Sequence, residues 1–165
     1  MDYKRLFKHL LVTPREVNKA FSKSTLDRIE ATVKACESKH EGEICFVVEG
    51  ALDLPELWAG VTPREKALAV FSQLRVWDTE KNCGVLVYVM LADRQVEIVA
   101  DRGVNARSGP QAWTGICDEM IAHFAQSRFE EGAVKGILAI AQQLQSHFPA
   151  PLGQGNELPD RPVVL

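Results

Sequence analysis

Apolar residues at helical spacing open the chain. Tyr3, Leu6, Phe7, Leu10 and Leu11 share one face of a short amphipathic helix over Tyr3 to Leu11, with Lys4, Arg5 and Lys8 on the other. The tetrapeptide Thr-Pro-Arg-Glu occurs twice, at Thr13 to Glu16 and at Thr62 to Glu65. Each copy places a capping Thr, a Pro at the first helical position and a Glu two residues later, the order of a capping box, so both copies start helices and do not mark a repeat. Leu26, Ile29, Val33 and Cys36 predict a helix from Ser24 to His40, ended by Gly42. The second capped helix runs to about Leu74 with Ala67, Leu68, Phe71 and Leu74 inward. Two more close the chain. Pro110 to Gln126 turns Trp113, Ile116, Cys117, Met120 and Phe124 inward, and Phe129 to His147 does so with Val134, Ile137, Leu138, Ala141 and Leu144.

Between the helices the pattern changes from periodic to continuous. Glu43 to Glu49 holds five apolar residues in succession and "GVLVYVML" from Gly84 is apolar throughout, as in strands covered on both faces. Strand, helix and strand in that order make a right-handed crossover with parallel strands. "ADRQVEIVAD" then returns antiparallel to the second strand. The economical architecture is an α/β fold, a three-layer α/β/α sandwich with a small mixed central sheet. Residues 1–23 read as an N-terminal amphipathic helical segment, 24–148 as the domain and 149–165, rich in Pro and Gly, as an extended tail.

Composition narrows the partners. A length of 165 residues suits one domain, and a net charge of -3 argues against non-specific nucleic-acid binding, which needs a basic excess. Cys36, Cys45, Cys83 and Cys117 have no C-x-x-C spacing and lie in or beside apolar runs, so buried free thiols in a reducing cytoplasm are expected. No secretion signal and no membrane span is legible. The N-terminal helix is the one segment suited to peripheral contact with a membrane. His9, His40, His123 and His147 show no ligand spacing and read as exposed helix residues, while Trp58, Trp77 and Trp113 read as core or cleft aromatics.

The chemistry-bearing residues gather at one place. If Ala92 and Asp93 form the hairpin turn, Leu91 faces Arg94 and Gly84 faces Asp101. The open end of the hairpin then joins the loop "VWDTEKNCG" to the loop "DRGVNARSG", with Gly84 leaving space above Asp101. Asp78, Glu80 and Asp101 could supply the oxygens that Ca²⁺ or Mg²⁺ prefers. Arg102, Arg107, Asn105 and Ser108, beside a helix start, could hold a phosphate or carboxylate. The third reading is that Asp101 and the arginines pair with their neighbours and stop the sheet. No G-x-S-x-G, Walker loop or G-x-G-x-x-G is present, and no nucleophile–base pair can be named.

"NCGVLVYVMLADRQVEIVADRGVN", followed by "RFEEGAVKGILAIAQQL", resembles the TPM domain family. The matching positions are Gly84, Val85 and Leu86 at the strand start, Asp93 and Arg94 at the turn, Gly103 after the third strand, and Phe129 and Gly132 before the last helix. The resemblance implies an α/β/α sandwich with a cleft at a sheet end, where some relatives bind a divalent cation. Acid phosphatase activity has been attributed to plant members that serve photosystem repair. Within the family the chain looks like a compact bacterial branch associated with LemA-family proteins, which implies a protein partner at the cytoplasmic face of the membrane. The first functional expectation is therefore a non-catalytic binding or adaptor domain with such a partner, and the second a divalent-metal-dependent phosphatase acting on a phosphomonoester. Val163, Val164 and Leu165 form an apolar triplet at the chain's end, to be docked on this domain or offered to a partner.

Overall fold

The structure is a computed structural model and describes residues 3–150 and 157–165. Helices α1 (Tyr3–Leu11), α2 (Pro14–Ala20) and α3 (Lys23–Glu37) lead into strand β1 (Glu43–Glu49). Helices α4 (Leu54–Ala59) and α5 (Pro63–Gln73) follow, then β2 (Gly84–Met90) and β3 (Gln95–Ala100). The short α6 (Arg102–Ser108), a 3-10 turn at Pro110–Trp113, α7 (Thr114–Ala125) and α8 (Phe129–His147) precede the terminal strand β4 (Val163–Val164).

The sheet is mixed, in the order β3-β2-β1-β4. β1 and β2 run parallel with Glu43 opposite Gly84 and Glu49 opposite Met90, and both are buried along their whole length, as their continuous apolar runs predict. Alternation sends Ile44, Phe46, Val48, Val85, Val87 and Val89 to the face covered by α2, α3, α7 and α8. Cys45, Val47, Leu86, Tyr88 and Met90 face the opposite layer, formed by α1, α4 and α5. This is the expected three-layer sandwich.

The β2–β3 register is also as expected: Val85 pairs with Ala100 and Met90 with Gln95. The turn differs. Leu91 to Arg94 form a four-residue loop closed by the Arg94 N–H donating to Leu91 O at 3.1 Å, with Arg94 at φ 56°, so the index sum survives a longer turn. β3 lies at the sheet's edge, and its Ile98 and Ala100 carbonyls accept from Arg64 Nη1 at 2.7 Å and Asn105 Nδ2 at 2.6 Å. Side chains so placed blunt an edge that would otherwise template another strand.

Several expectations need correcting. Leu68 and Leu138 face outward, with Val70 and Ile140 buried in their place. His9, His40 and His123 are buried rather than exposed, whereas Trp58 and Trp77 are exposed and only Trp113 is in the core. α1 and α2 both pack on the sheet layers. Phe21 is fully buried, its ring 5.8 Å from Phe124 and 5.5 Å from Phe129, and it fixes α2 in the core. α1 docks rotated from its sequence pattern, with Leu6, Arg5 and His9 inward and Tyr3, Phe7, Leu10 and Leu11 exposed together with Lys4 and Lys8.

Candidate functional site

Strand directions bring the C-terminal end of β3 beside the N-terminal ends of β1 and β2, so Asp101, Asn82, Thr79 and Glu43 gather at one end of the sheet. The expected cleft there is closed. A Cβ on Gly84 would lie 1.9 Å from the Val76 carbonyl oxygen, so the place expected to be open above Asp101 is filled by main chain. A Cβ on Gly103 would meet the carbonyl oxygens of Asn82 at 2.6 Å and Lys81 at 2.8 Å. Glycine is required at both positions because two backbones touch there. The Gly103 N–H donates to Asn82 O at 3.0 Å and the Asp101 N–H to Gly84 O at 2.9 Å, so hydrogen bonds join the two loops.

Three of the four predicted anion-binding residues bond within the fold. "DRGVNARS" is α6 rather than loop, and Asp101 is its N-cap, with Oδ1 accepting from the Arg102 N–H at 2.6 Å. Arg102 Nη2 donates to Asn82 Oδ1 at 3.2 Å, and Asn105 holds the edge of β3. Arg107 donates to His147 O and stacks its guanidinium 4.2 Å from the centre of the Phe148 ring. Ser108 Oγ is buried with no hydrogen-bond partner among the described residues.

The predicted metal ligands do not converge. Asp78 and Glu80 are exposed while Asp101 is buried, and among the described residues no three His, Cys, Asp or Glu side chains form a set able to hold a metal ion. Asp101 Oδ2 is buried without a partner, yet one carboxylate oxygen is far short of the six to eight oxygens that Ca²⁺ takes, about six for Mg²⁺. The residues present do not fit the divalent cation that the family implies. Cys83 is inert: its thiol donates to Glu41 O at 3.2 Å, and burial pushes its pKa up.

The C-terminal triplet takes the self-docked alternative. Val163 and Val164 pair in parallel with Val47 and Val48, and the Leu165 N–H donates to Val48 O at 2.9 Å. Glu43, buried at the start of β1, accepts the N–H groups of Glu157 at 3.1 Å and Leu158 at 3.3 Å. Burial raises the Glu43 pKa in spite of these donors. The Glu37 carboxyl is pushed up to about 8 by burial and by a hydrogen bond with Asp160 on the tail.

The other end of the sheet carries polar clusters that the sequence pattern did not point to. Glu49, buried at the end of β1, accepts from Tyr88 Oη at 2.6 Å, and Lys66 Nζ lies 3.3 Å from Glu49 and 2.5 Å from Glu56. Burial and this bond raise the Tyr88 pKa, and the two carboxylates outweigh burial to hold Lys66 above its ordinary value. Next to it, Asp93 binds Arg5 through both carboxylate oxygens and stands 3.1 Å from His9 Nε2. Burial would raise the Asp93 pKa, but Arg5 and His9 bring it below the usual range. A signal for this end existed: parallel strands put Glu49 and Met90 at the same end, where open α/β sheets place their ligands. Two cavities lie away from this end. One of about 290 Å³ lies between β3 and α7, and one of about 510 Å³ between α2, α3 and the start of α8.

A three-layer sandwich with a hairpin turned on Asp93-Arg94 and backbone contacts at Gly84 and Gly103 defines a domain class. The TPM domain matches residues 16–143, and the chain belongs to that family. Among solved structures, the BA42 protein from the psychrophilic bacterium Bizionia argentinensis is similar in fold, with a TM-score of 0.77 at 24% identity, covering 87% of this chain and 94% of that one. The N-terminal domain of a protein from P.gingivalis, structural genomics target PgR37A, is similar with a TM-score of 0.60 at 25% identity over 77% of this chain and 78% of that one. No curated protein matches the chain.

Proposed function

We propose that this TPM domain is a non-catalytic binding domain that works with a membrane-associated protein partner. The observation that supports it is the closure of the Asp101 end by the Gly84 and Gly103 contacts, with Arg102, Asn105 and Arg107 each bonded within the fold. A phosphatase needs a positioned nucleophile or metal-bound water and a free oxyanion donor. Among the described residues at this end, no side chain is placed for either role. Motif positions that carry the family resemblance have packing roles: Gly84 and Gly103 admit backbone, Asp93 anchors α1, Arg94 adopts the left-handed turn, and a Cβ on Gly132 would press on His123 Cβ at 2.7 Å.

The test is hydrolysis of p-nitrophenyl phosphate across the acid and neutral range with Ca²⁺, Mg²⁺ or Mn²⁺ in excess. The expected rate equals that of the Asp101→Asn protein, in which Asn remains an equivalent cap. Saturable, cation-dependent turnover that Asp101→Asn abolishes would instead establish the metal-dependent phosphatase.

A further inference from the structure

An amphipathic helix ordinarily buries its apolar stripe and shows its charges to water. α1 departs from this: only Leu6 of its stripe packs against the core, while Tyr3, Phe7, Leu10 and Leu11 are exposed alongside Lys4 and Lys8. Arg5 is inward, donating to Asp93 through Nε and Nη2 at 2.8–3.1 Å and to Val61 O at 2.7 Å. His9 Nδ1 accepts the Leu52 N–H at 3.0 Å. The rest of the stripe is outward: Tyr3 is 74% exposed, Phe7 63%, Leu10 61% and Leu11 56%. α4, whose flanking residues Leu52 and Val61 both bond to α1, adds Leu54 at 51% and Trp58 at 70%. Six of the eleven exposed large apolar side chains among the described residues thus sit on these two neighbouring helices. Concentrated apolar surface of this kind marks an interaction face.

Charge selects what covers it. Residues 1–23 carry six Lys or Arg against Asp2 and Glu16, a net +4, so the rest of the chain carries -7. At about 100° per residue, Lys4 and Lys8 fall along one border of the stripe formed by Tyr3, Phe7, Leu10 and Leu11. We infer that α1, with Trp58 and Leu54 beside it, is a peripheral docking face for an anionic lipid bilayer. Lysines at the border of an apolar, aromatic-bearing stripe fit the headgroup boundary, and the acidic body is repelled from the same surface and sets the orientation. A second copy fits poorly, because α1 carries Lys4, Arg5 and Lys8 with no acidic residue and would meet its own charge. The inference stands apart from the protein partner proposed above, since protein-free vesicles test it alone.

The experiment is co-sedimentation of the full chain with phosphatidylcholine vesicles, with and without about one-third phosphatidylglycerol, at low and high salt. The wild type is expected to bind the anionic vesicles only, and to bind them several-fold less at high salt. Phe7→Glu with Leu11→Glu should weaken binding at least tenfold while leaving the melting temperature unchanged, because both side chains are more than half exposed. Lys8→Glu should weaken it several-fold. No binding to anionic vesicles, or binding that the double variant leaves intact, overturns the inference. So does a wild-type dimer in sedimentation equilibrium that the double variant dissolves, which would give the face to a second copy.

Discussion

Gly84→Ala is expected to unfold the protein at physiological temperature. Its Cβ would stand 1.9 Å from the Val76 carbonyl oxygen and 2.9 Å from the carbonyl carbon, distances that only a backbone shift relieves. The shift has nowhere to go. Gly84 begins a strand paired on both sides, with Glu43 of β1 and, through its carbonyl, with the Asp101 N–H. Overpacking against a yielding side chain costs about 1–3 kcal/mol, and against main chain in a sheet about 4 kcal/mol or more. A domain of this size has about 5–15 kcal/mol in all, so the variant should melt far below the wild type or fail to fold. Gly115→Ala is the control, since nothing lies within 4 Å of its Cβ position inside α7. It should melt as the wild type does or slightly above it.

The second large effect is expected for Lys66→Met. Lys66 stands between Glu49 and Glu56, and Glu49 is 6% exposed at the end of β1. Removing the cation leaves a buried carboxylate with only the Tyr88 hydroxyl as a donor, and breaking a buried pair from one side costs about 3–5 kcal/mol. Denaturant midpoints should show the loss, and Glu49→Gln placed in the same protein should recover most of it, because the orphaned charge is then gone. A Lys66→Met protein as stable as the wild type would mean that the cluster does not clamp α5 to the sheet.

The sheet was readable because its signals are local. Unbroken apolar runs at Glu43–Glu49 and Gly84–Met90 marked the central strands, and the constant index sum of a hairpin gave the β2–β3 register even though the turn is longer than two residues. α4 also had a legible start, since Asp53 and Glu56 form the same capping box as the two Thr-Pro-Arg-Glu copies. Asp53 and Gly60 bracket only six residues, too few to show an apolar period. α6 left less trace: of its seven residues Val104 is the only buried one, so no apolar period betrays it.

The residues of the candidate site are near one another, but the sequence does not show how their backbones pack. Asp101, Arg102, Asn82 and Gly84 do meet at one sheet end. Yet a glycine looks the same in sequence whether it opens a cleft or admits another backbone, and only the path of Val76 decides between them. The same holds for α1. Its apolar stripe is visible in the sequence, but Asp93, some ninety residues away, draws Arg5 and His9 inward and turns most of the stripe out. A contact of that range has no local signature.

Amide hydrogen exchange at Gly103 tests the closed end most directly. In the first turn of a helix an N–H has no helical acceptor and exchanges freely unless something outside the helix holds it. Here the holder is Asn82 O at 3.0 Å across the expected cleft. The account predicts that the Gly103 amide is protected roughly a hundredfold or more relative to an unstructured chain, and that neither Ca²⁺ nor phosphate moves its resonance. Exchange at the unstructured rate, or a saturable shift of Gly103 and Asp101 on adding either ion, would mean that the loops part and that this end of the sheet is a ligand cleft after all.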